Sequence, residues 1–292
     1  MSSVLVVFVD GVGLGPDDPS VNPFLAAPPR HITALLRDAR ATLAPLDATL
    51  GVEGLPQSGT GQYSLFTGDN GAVRFGRHFG PWVPTALRDP LRTDNLLTRA
   101  AVRGKRIAFA NAYPVQLIEA AHKTGAFKPV GPLRSGLPLV AWGAGVLTRH
   151  LEALRDGEAV SSEITNRGWR QHVGDVDEIT PSTAGRNLAR IANAHDLTLF
   201  AHYQTDTAGH AQDMSAAVTA LTLFDEFLGG VLDAFTTDGT LVIVSDHGNL
   251  EDVRAGHTRN PALGLVAGRG HADVASRLRS LTDLPAAVQP LL

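Results

Sequence analysis

Residues 240–261, TLVIVSDHGNLEDVRAGHTRNP, join an apolar run to a dense set of ionisable and imidazole side chains. The run TLVIV is β-branched or aliphatic throughout, the composition of a strand buried on both faces in a parallel sheet. It closes on Asp246-His247-Gly248-Asn249, and His257 follows on a Gly-containing loop. A carboxylate beside an imidazole at the end of a buried strand is costly to desolvate unless something compensates. A divalent cation compensates, and both groups are good ligands for one. The alternative is a strand end followed by ordinary polar loop residues.

The same arrangement recurs. VLVVFV at 4–9 reads as a buried strand ending on Asp10 and a GVGLGP turn. A dinucleotide fingerprint would open a helix at once after such a turn. Here PDDPSVNP follows, which resists a helix. Two readings of Asp10 remain: a metal ligand at the strand's carboxyl end, approached closely by the glycine loop, or a buried Asp capping the next turn. DLTLFAHY at 196–203 is a further strand, running into QTDTAGH. On a helical turn, Asp206 and His210 share one face. Strands are expected also near 42–50, 106–111 and 262–267. Helices are expected over 31–40, 93–103, 145–155, 182–195, 214–235 and 271–281. Alternation of this kind predicts an α/β fold with a mostly parallel central sheet and helices on both faces. Ligands then sit beyond the carboxyl ends of the strands, where Asp10, Asp206 and Asp246 all fall.

The chain has 292 residues, 43% hydrophobic and 18% charged, which suits a single large α/β domain over 1–292. Residues 74–182 form a substrate-side excursion or small cap, either over the site mouth or woven into the core. Within it, 72–92, 113–140 and 159–180 read as loop. Lys plus Arg is 25 and Asp plus Glu 29, a net charge of −4, so the basic excess of a nucleic-acid binder is absent. The absence of Cys excludes disulfides and thiolate metal sites and is compatible with the expected cytoplasmic location. The first residues lack a basic region and cleavage site, so they read as a strand and not a signal peptide. No apolar run approaches the ~20 residues of a membrane span. Oligomeric state is not legible.

PQSGTGQ followed by YSLFTG places Ser58 at the start of a short helix. Ser58 is there either as an N-cap or as a nucleophile whose phosphoryl partner meets the positive helix end. No Lys follows the glycines, so this is no Walker A loop. Asp10, Asp206, His210, Asp246, His247 and His257 are too many ligands for one tetrahedral site and fit two divalent ions. Oxygen and nitrogen ligands without sulfur suit Mn or Zn, with Mg a further candidate. Two ions ~3.5–4 Å apart can clamp the attacking and leaving oxygens of a phosphoryl transfer. Arg77, His78, Asn111, Lys123, Arg167 and Arg170 lie in or near the excursion as substrate-side candidates, the arginines for a bidentate grip on an anion. The alternative for each is solvated surface.

Together, VLVVFVDGVG, PQSGTGQYSLFTG, YQTDTAGH, SDHGNLED and HTRNP resemble the motifs of the alkaline phosphatase superfamily. The nearest likeness is to the metalloenzyme domain of cofactor-independent phosphoglycerate mutase and phosphopentomutase. The SDHGN and HTRNP pair is the specific part; residues 74–182 carry no quotable likeness. The resemblance implies a three-layer sandwich and a phosphoserine formed on Ser58, with Thr60 the fallback nucleophile. It implies one metal on Asp10, Ser58, Asp246 and His247, and another on Asp206, His210 and His257. Two departures stand out. Gln62 occupies the position where the mutases carry a His, and residues 74–182 are too short for the large inserted domain that holds the phosphoglycerate carboxylate. Thr60 and Gln62 join the substrate-side candidates. Sulfatases of this superfamily need a C/S-x-P-x-R context, which Ser58-Gly59-Thr60 does not match. The expectation is therefore a hydrolase of small-molecule phosphate monoesters or diesters. A phosphomutase and a non-catalytic metal-binding relative are the alternatives.

Overall fold

The structure, a computed structural model, describes residues 3–122 and 131–292. Lys123 lies outside them. Among the described residues, β1 (Val4–Val9), β2 (Ala41–Leu43), β3 (Ile107–Phe109), β4 (Leu197–His202), β5 (Thr240–Val244) and β6 (Gly264–Gly268) form one sheet in the order β2-β6-β5-β1-β4-β3. β3, β4, β1 and β5 run parallel, and β6 is antiparallel to both β5 and β2. The mostly parallel sheet is as expected, and its central strands are buried end to end.

Alternation along the strands feeds two cores. Val4, Val6 and Phe8 face a cluster containing Leu65, Phe66, Leu137 and Leu284, while Leu5, Val7 and Val9 face one containing Leu188, Phe224, Phe227 and Val231. The second face is covered by the helices Pro181–Asn193 and Met214–Ala234. The first is capped by Thr180, whose side chain accepts from Thr183 N, with Pro181 at N1; the second by Asp213, which accepts from Ala216 N. Met214–Ala234 is long and apolar enough to cross a membrane by composition. Its Leu221, Phe224, Phe227, Leu228 and Val231 are instead buried in the core beneath the sheet.

The excursion is more helical than its sequence suggests. Gly71–Phe75 and Thr85–Thr93 are helices within the presumed loop 72–92, and Val115–His122, Gly136–Gly143 and Arg167–His172 are helices in the other two loops. Gly136–Gly143 is buried over six consecutive residues, so no polar face reveals its period. The helix expected over 93–103 begins at Leu96, because Asn95 and Thr98 form a reciprocal capping box. Helix forms only over Leu151–Arg155 in the 145–155 stretch. β3 belongs to the sheet, and Ala112, Leu154, Ala159, Trp169 and Val176 form a small apolar cluster beside it.

His202 closes β4 on the Phe224 side, with Nδ1 2.8 Å from the Ser162 carbonyl oxygen and its ring stacked at 5.7 Å. Burial pushes its pKa down to about 4 from 6.5. A neutral His in the folded chain binds fewer protons than in the unfolded chain between those values. Its stabilising contribution is therefore complete above pH ~6.5 and lost as pH falls toward 4, amounting to roughly 3 kcal/mol. His202→Phe is expected to flatten the fall of unfolding free energy between pH 6.5 and 4. Denaturant unfolding across that range measures it, and a slope equal to that of the parent chain counts against the assignment.

Candidate metal centre

The parallel strands deliver their side chains to one sheet edge. β1 ends at Val9 and presents Asp10; β5 ends at Val244 and presents Asp246 and His247; β4 runs into the helix Gln204–Ala211, which presents Asp206 and His210 one turn apart. The ligand atoms gather into two groups, Asp10 with Asp246 and His247, and Asp206 with His210 and His257, each within 4.8 Å internally. Asp206 lies between the groups: Oδ1 is 3.7 Å from His257 Nε2 and 4.0 Å from His247 Nε2, and Oδ2 is 3.3 Å from His210 Nε2. The rings of His247 and His257 stack at 4.0 Å.

This donor set fits divalent cations. Asp10 is buried, and burial followed by the Asp246 and Asp206 carboxylates pushes its pKa well up. Its Oδ1 has no hydrogen-bond partner among the described residues. Burial, then the neighbouring His247, lowers the His257 pKa, keeping that ring neutral and fit to ligate. His257 Nδ1 lies 2.8 Å from the Pro56 carbonyl, and His247 Nδ1 3.3 Å from that of Gly248. A carbonyl oxygen only accepts, so both Nδ1 atoms carry the proton and both Nε2 lone pairs face the carboxylates. A divalent cation would favour the ionised carboxylates and accept the imidazole lone pairs that converge here.

Ser58 is the first residue of the helix Ser58–Thr67, and Gln57 holds the cap position without a side-chain bond. The Ser58 hydroxyl is thus not spent as an N-cap. Its Oγ is 3.0 Å from His247 Nε2, beside the Asp10 group. The backbone N–H of Thr60 donates to the Phe79 carbonyl, so that amide of the helix end is already occupied.

Several residues that hold the ligands escaped the sequence reading. Glu251 is fully buried; Oε2 accepts from Gly13 N (2.8 Å) and Asn249 N (2.7 Å), and Oε1 from Thr258 Oγ1 (2.5 Å) and Asn260 Nδ2 (3.0 Å). It thereby ties the loops bearing Asp10, His247 and His257 to one another. Asn249 Nδ2 donates to Asp206 Oδ1 at 2.7 Å. The GVG turn has its own reason: Gly11 has φ +66°, a Cβ there would collide with the Asp206 carboxylate, and a Cβ on Gly13 would lie 2.6 Å from Glu251. The acid in SDHGNLED was visible; nothing local to it told that three loops converge on it.

The substrate-side candidates are mostly engaged elsewhere. Asn111 is buried, its amide donating to Ala201 O and accepting from Ala201 N at 2.8 Å, so it extends the sheet instead of meeting a substrate. Gln62 is also buried; it donates to Asp246 Oδ2 at 3.1 Å and accepts from Gly136 N at 2.8 Å, and so orients a ligand. Thr60 Oγ1 accepts from Phe79 N and lies 3.3 Å from Gln57 O, a poor fallback nucleophile. Arg167 pairs with Glu178 at 3.1 Å, and Arg77 lies over the rings of Phe75 and Phe79. His78 Nε2 is 3.3 Å from Val52 O.

Residues 178–288 match a family model described as the Metalloenzyme superfamily. That segment includes Asp206, His210, Asp246, His247 and His257, and excludes Asp10 and Ser58. Among curated proteins, the chain is similar to the 2,3-bisphosphoglycerate-independent phosphoglycerate mutase of Desulforudis audaxviator, 33% identical over 127 residues, covering 39% of this chain and 25% of that one. It is also similar to that of Cereibacter sphaeroides, 30% identical over 123 residues, covering 36% and 24%. The matches thus span about a quarter of the length of these relatives. Among solved structures, the PH0037 protein from Pyrococcus horikoshii aligns with TM-score 0.58 at 14% identity, over 92% of this chain and 86% of that one. The alkaline phosphatase from the Antarctic bacterium TAB5 aligns with TM-score 0.53 at 11% identity, over 100% and 98%. These likenesses show the fold.

Proposed function

Taking the alkaline-phosphatase-like metalloenzyme fold as premise, we propose that this chain transfers phosphoryl groups from small-molecule phosphate esters through Ser58, and that water is the final acceptor. The observation that carries the reading is Ser58 Oγ at a helix N-terminus, 3.0 Å from His247 and against an array of three carboxylates and three imidazoles. Asp10, Ser58, Asp246 and His247 would hold one divalent cation, and Asp206, His210 and His257 a second. When bound, such cations lower the pKa of a hydroxyl and neutralise phosphoryl charge.

The chain's own groups do the rest. Ser58 Oγ forms a bond to phosphorus as the bond to the leaving oxygen breaks, giving phosphoserine and an alcohol or phenol. Water then cleaves the phosphoserine, and inorganic phosphate leaves. Gln62 and Asn249 keep Asp246 and Asp206 aimed at the reacting face. The side chains of His210 and Asp206 are 54% and 18% exposed, so water reaches that group, which favours hydrolysis over return of the phosphoryl group to the first product. The phosphoglycerate mutase names of the similar curated proteins favour a second reading, a phosphomutase.

The test is turnover of phenyl phosphate and bis(aryl) phosphate with Mn or Zn, together with mass spectrometry of the Ser58 peptide after a rapid acid quench. Metal-dependent phosphate release and phosphorylated Ser58 support the hydrolase. A positional isomer of an added sugar or hydroxy-acid phosphate, without phosphate release, favours the mutase. Failure to bind any divalent metal removes both.

A further inference from the structure

The helix Gly136–Gly143 of the excursion reaches the metal centre through one side chain. Gln62 is buried, one turn after Ser58 on the helix Ser58–Thr67. Its Oε1 accepts from Gly136 N at 2.8 Å, and its Nε2 donates to Asp246 Oδ2 at 3.1 Å. A backbone N–H only donates and an ionised carboxylate only accepts, so the amide has one workable orientation. Turned over, it would set N–H against N–H and oxygen against oxygen. Each bond thus fixes the orientation that the other needs. The backbones approach closely at both ends. A Cβ on Gly61 would lie 2.9 Å from the Asp246 carbonyl oxygen, and one on Gly136 would lie 2.8 Å from Gln62 Cβ. The ligand strand end, the Ser58 helix and the excursion helix are therefore in direct contact.

A second tie lies beside the first. The Ser135 hydroxyl, just before this helix, is 3.4 Å from that of Tyr203, whose next residue opens the helix bearing Asp206 and His210. The start of one helix thus touches the supports of both ligand groups. Asp246 Oδ1 accepts from Gly11 N at 3.3 Å, a longer bond than the one from Gln62. A cation ligated by Asp246 would fix the carboxylate to which Gln62 donates, and a Gln62 held by Gly136 would keep that carboxylate aimed at the cation. Coupling of this kind is reciprocal. We propose that Gln62 is a positioning residue that couples divalent-cation binding at Asp246 to docking of the helix Gly136–Gly143 beside the Ser58 helix. The inference rests on the two-cation part of the phosphoryl-transfer reading and adds a regulation of that site: the wall supplied by residues 136–143 is firmest when the cation is bound.

The experiment measures amide hydrogen exchange of the whole chain with and without Mn, beside a calorimetric Mn titration. Mn is expected to slow exchange over residues 136–143 by roughly 5- to 150-fold, the usual span of a coupling between two sites. The helix Met214–Ala234, packed on the other face of the sheet, is the control for general stabilisation and should slow by a smaller factor. Gln62→Met keeps most of the side-chain bulk and neither hydrogen bond. In it the extra slowing at 136–143 should vanish, and Mn affinity should fall by about 10- to 100-fold. Mn that binds the parent without slowing 136–143 beyond the control overturns the coupling and leaves phosphoryl transfer standing. So does a Gln62→Met chain that binds Mn and keeps the parent's slowing. Should that variant not fold, the comparison within the parent decides alone. Failure of the parent to bind Mn or Zn removes the coupling and the metal reading together. Exchange needs no turnover, so an inactive chain that binds Mn still tests the coupling.

Discussion

Ser58→Ala is expected to lose metal-dependent turnover of aryl phosphates by roughly 1,000-fold or more, the scale seen when a nucleophile that works with its neighbours is removed. The loss should fall on kcat, because the substrate's phosphoryl group would still meet the cations and the helix end. Thr60→Ala should not reproduce it, because the Thr60 hydroxyl is taken up by the backbone at Phe79 and Gln57. The measurement is kcat for both variants beside the parent, with thermal melts to show that each folds. Turnover of Ser58→Ala within tenfold of the parent would remove Ser58 as nucleophile and return the hydroxyl to a structural part beside His247.

The second large effect is expected away from the reacting atoms. Glu251→Ala leaves four donors, on Gly13, Asn249, Thr258 and Asn260, facing a buried gap. Unpairing a buried, hydrogen-bonded charge of this kind costs about 3–5 kcal/mol. Glu251→Gln keeps the volume but turns one acceptor into a donor against donors, so it should recover only part of the loss. Because the same carboxylate joins the loops bearing Asp10, His247 and His257, divalent-metal affinity should fall with stability, by about 10- to 100-fold. Denaturant unfolding and metal titration measure the two. An unfolding free energy within 1 kcal/mol of the parent, with unchanged metal affinity, would show that the four donors find other partners, an outcome the packing around Gly13 speaks against.

The placements that were legible in the sequence and those that were not differ in how local their cause is. Asp10, Asp206 and Asp246 were legible because each follows an apolar run at the carboxyl end of a parallel strand, and parallel strands place such residues on one edge. Asn111 and Gln62 were read as substrate-side polar groups, since an amide in a sequence says nothing about which backbone lies across from it. In the fold, Asn111 meets Ala201 ninety positions away and Gln62 meets Asp246 across 184. The helix Gly136–Gly143 was missed for the opposite reason: burial on every side erases the alternation that pattern reading depends on.

What the sequence determined by itself is the set of candidate ligand types and the sheet edge that collects them, because strand burial, strand direction and side-chain chemistry are properties of short segments. Only the tertiary structure decided the partners. It put Ser58 Oγ against His247 Nε2, let Asp206 stand between two groups of candidate ligands, and gave Glu251 its four donors. Those contacts join residues from distant parts of the chain, and their energies depend on burial and approach distance, which no local stretch encodes.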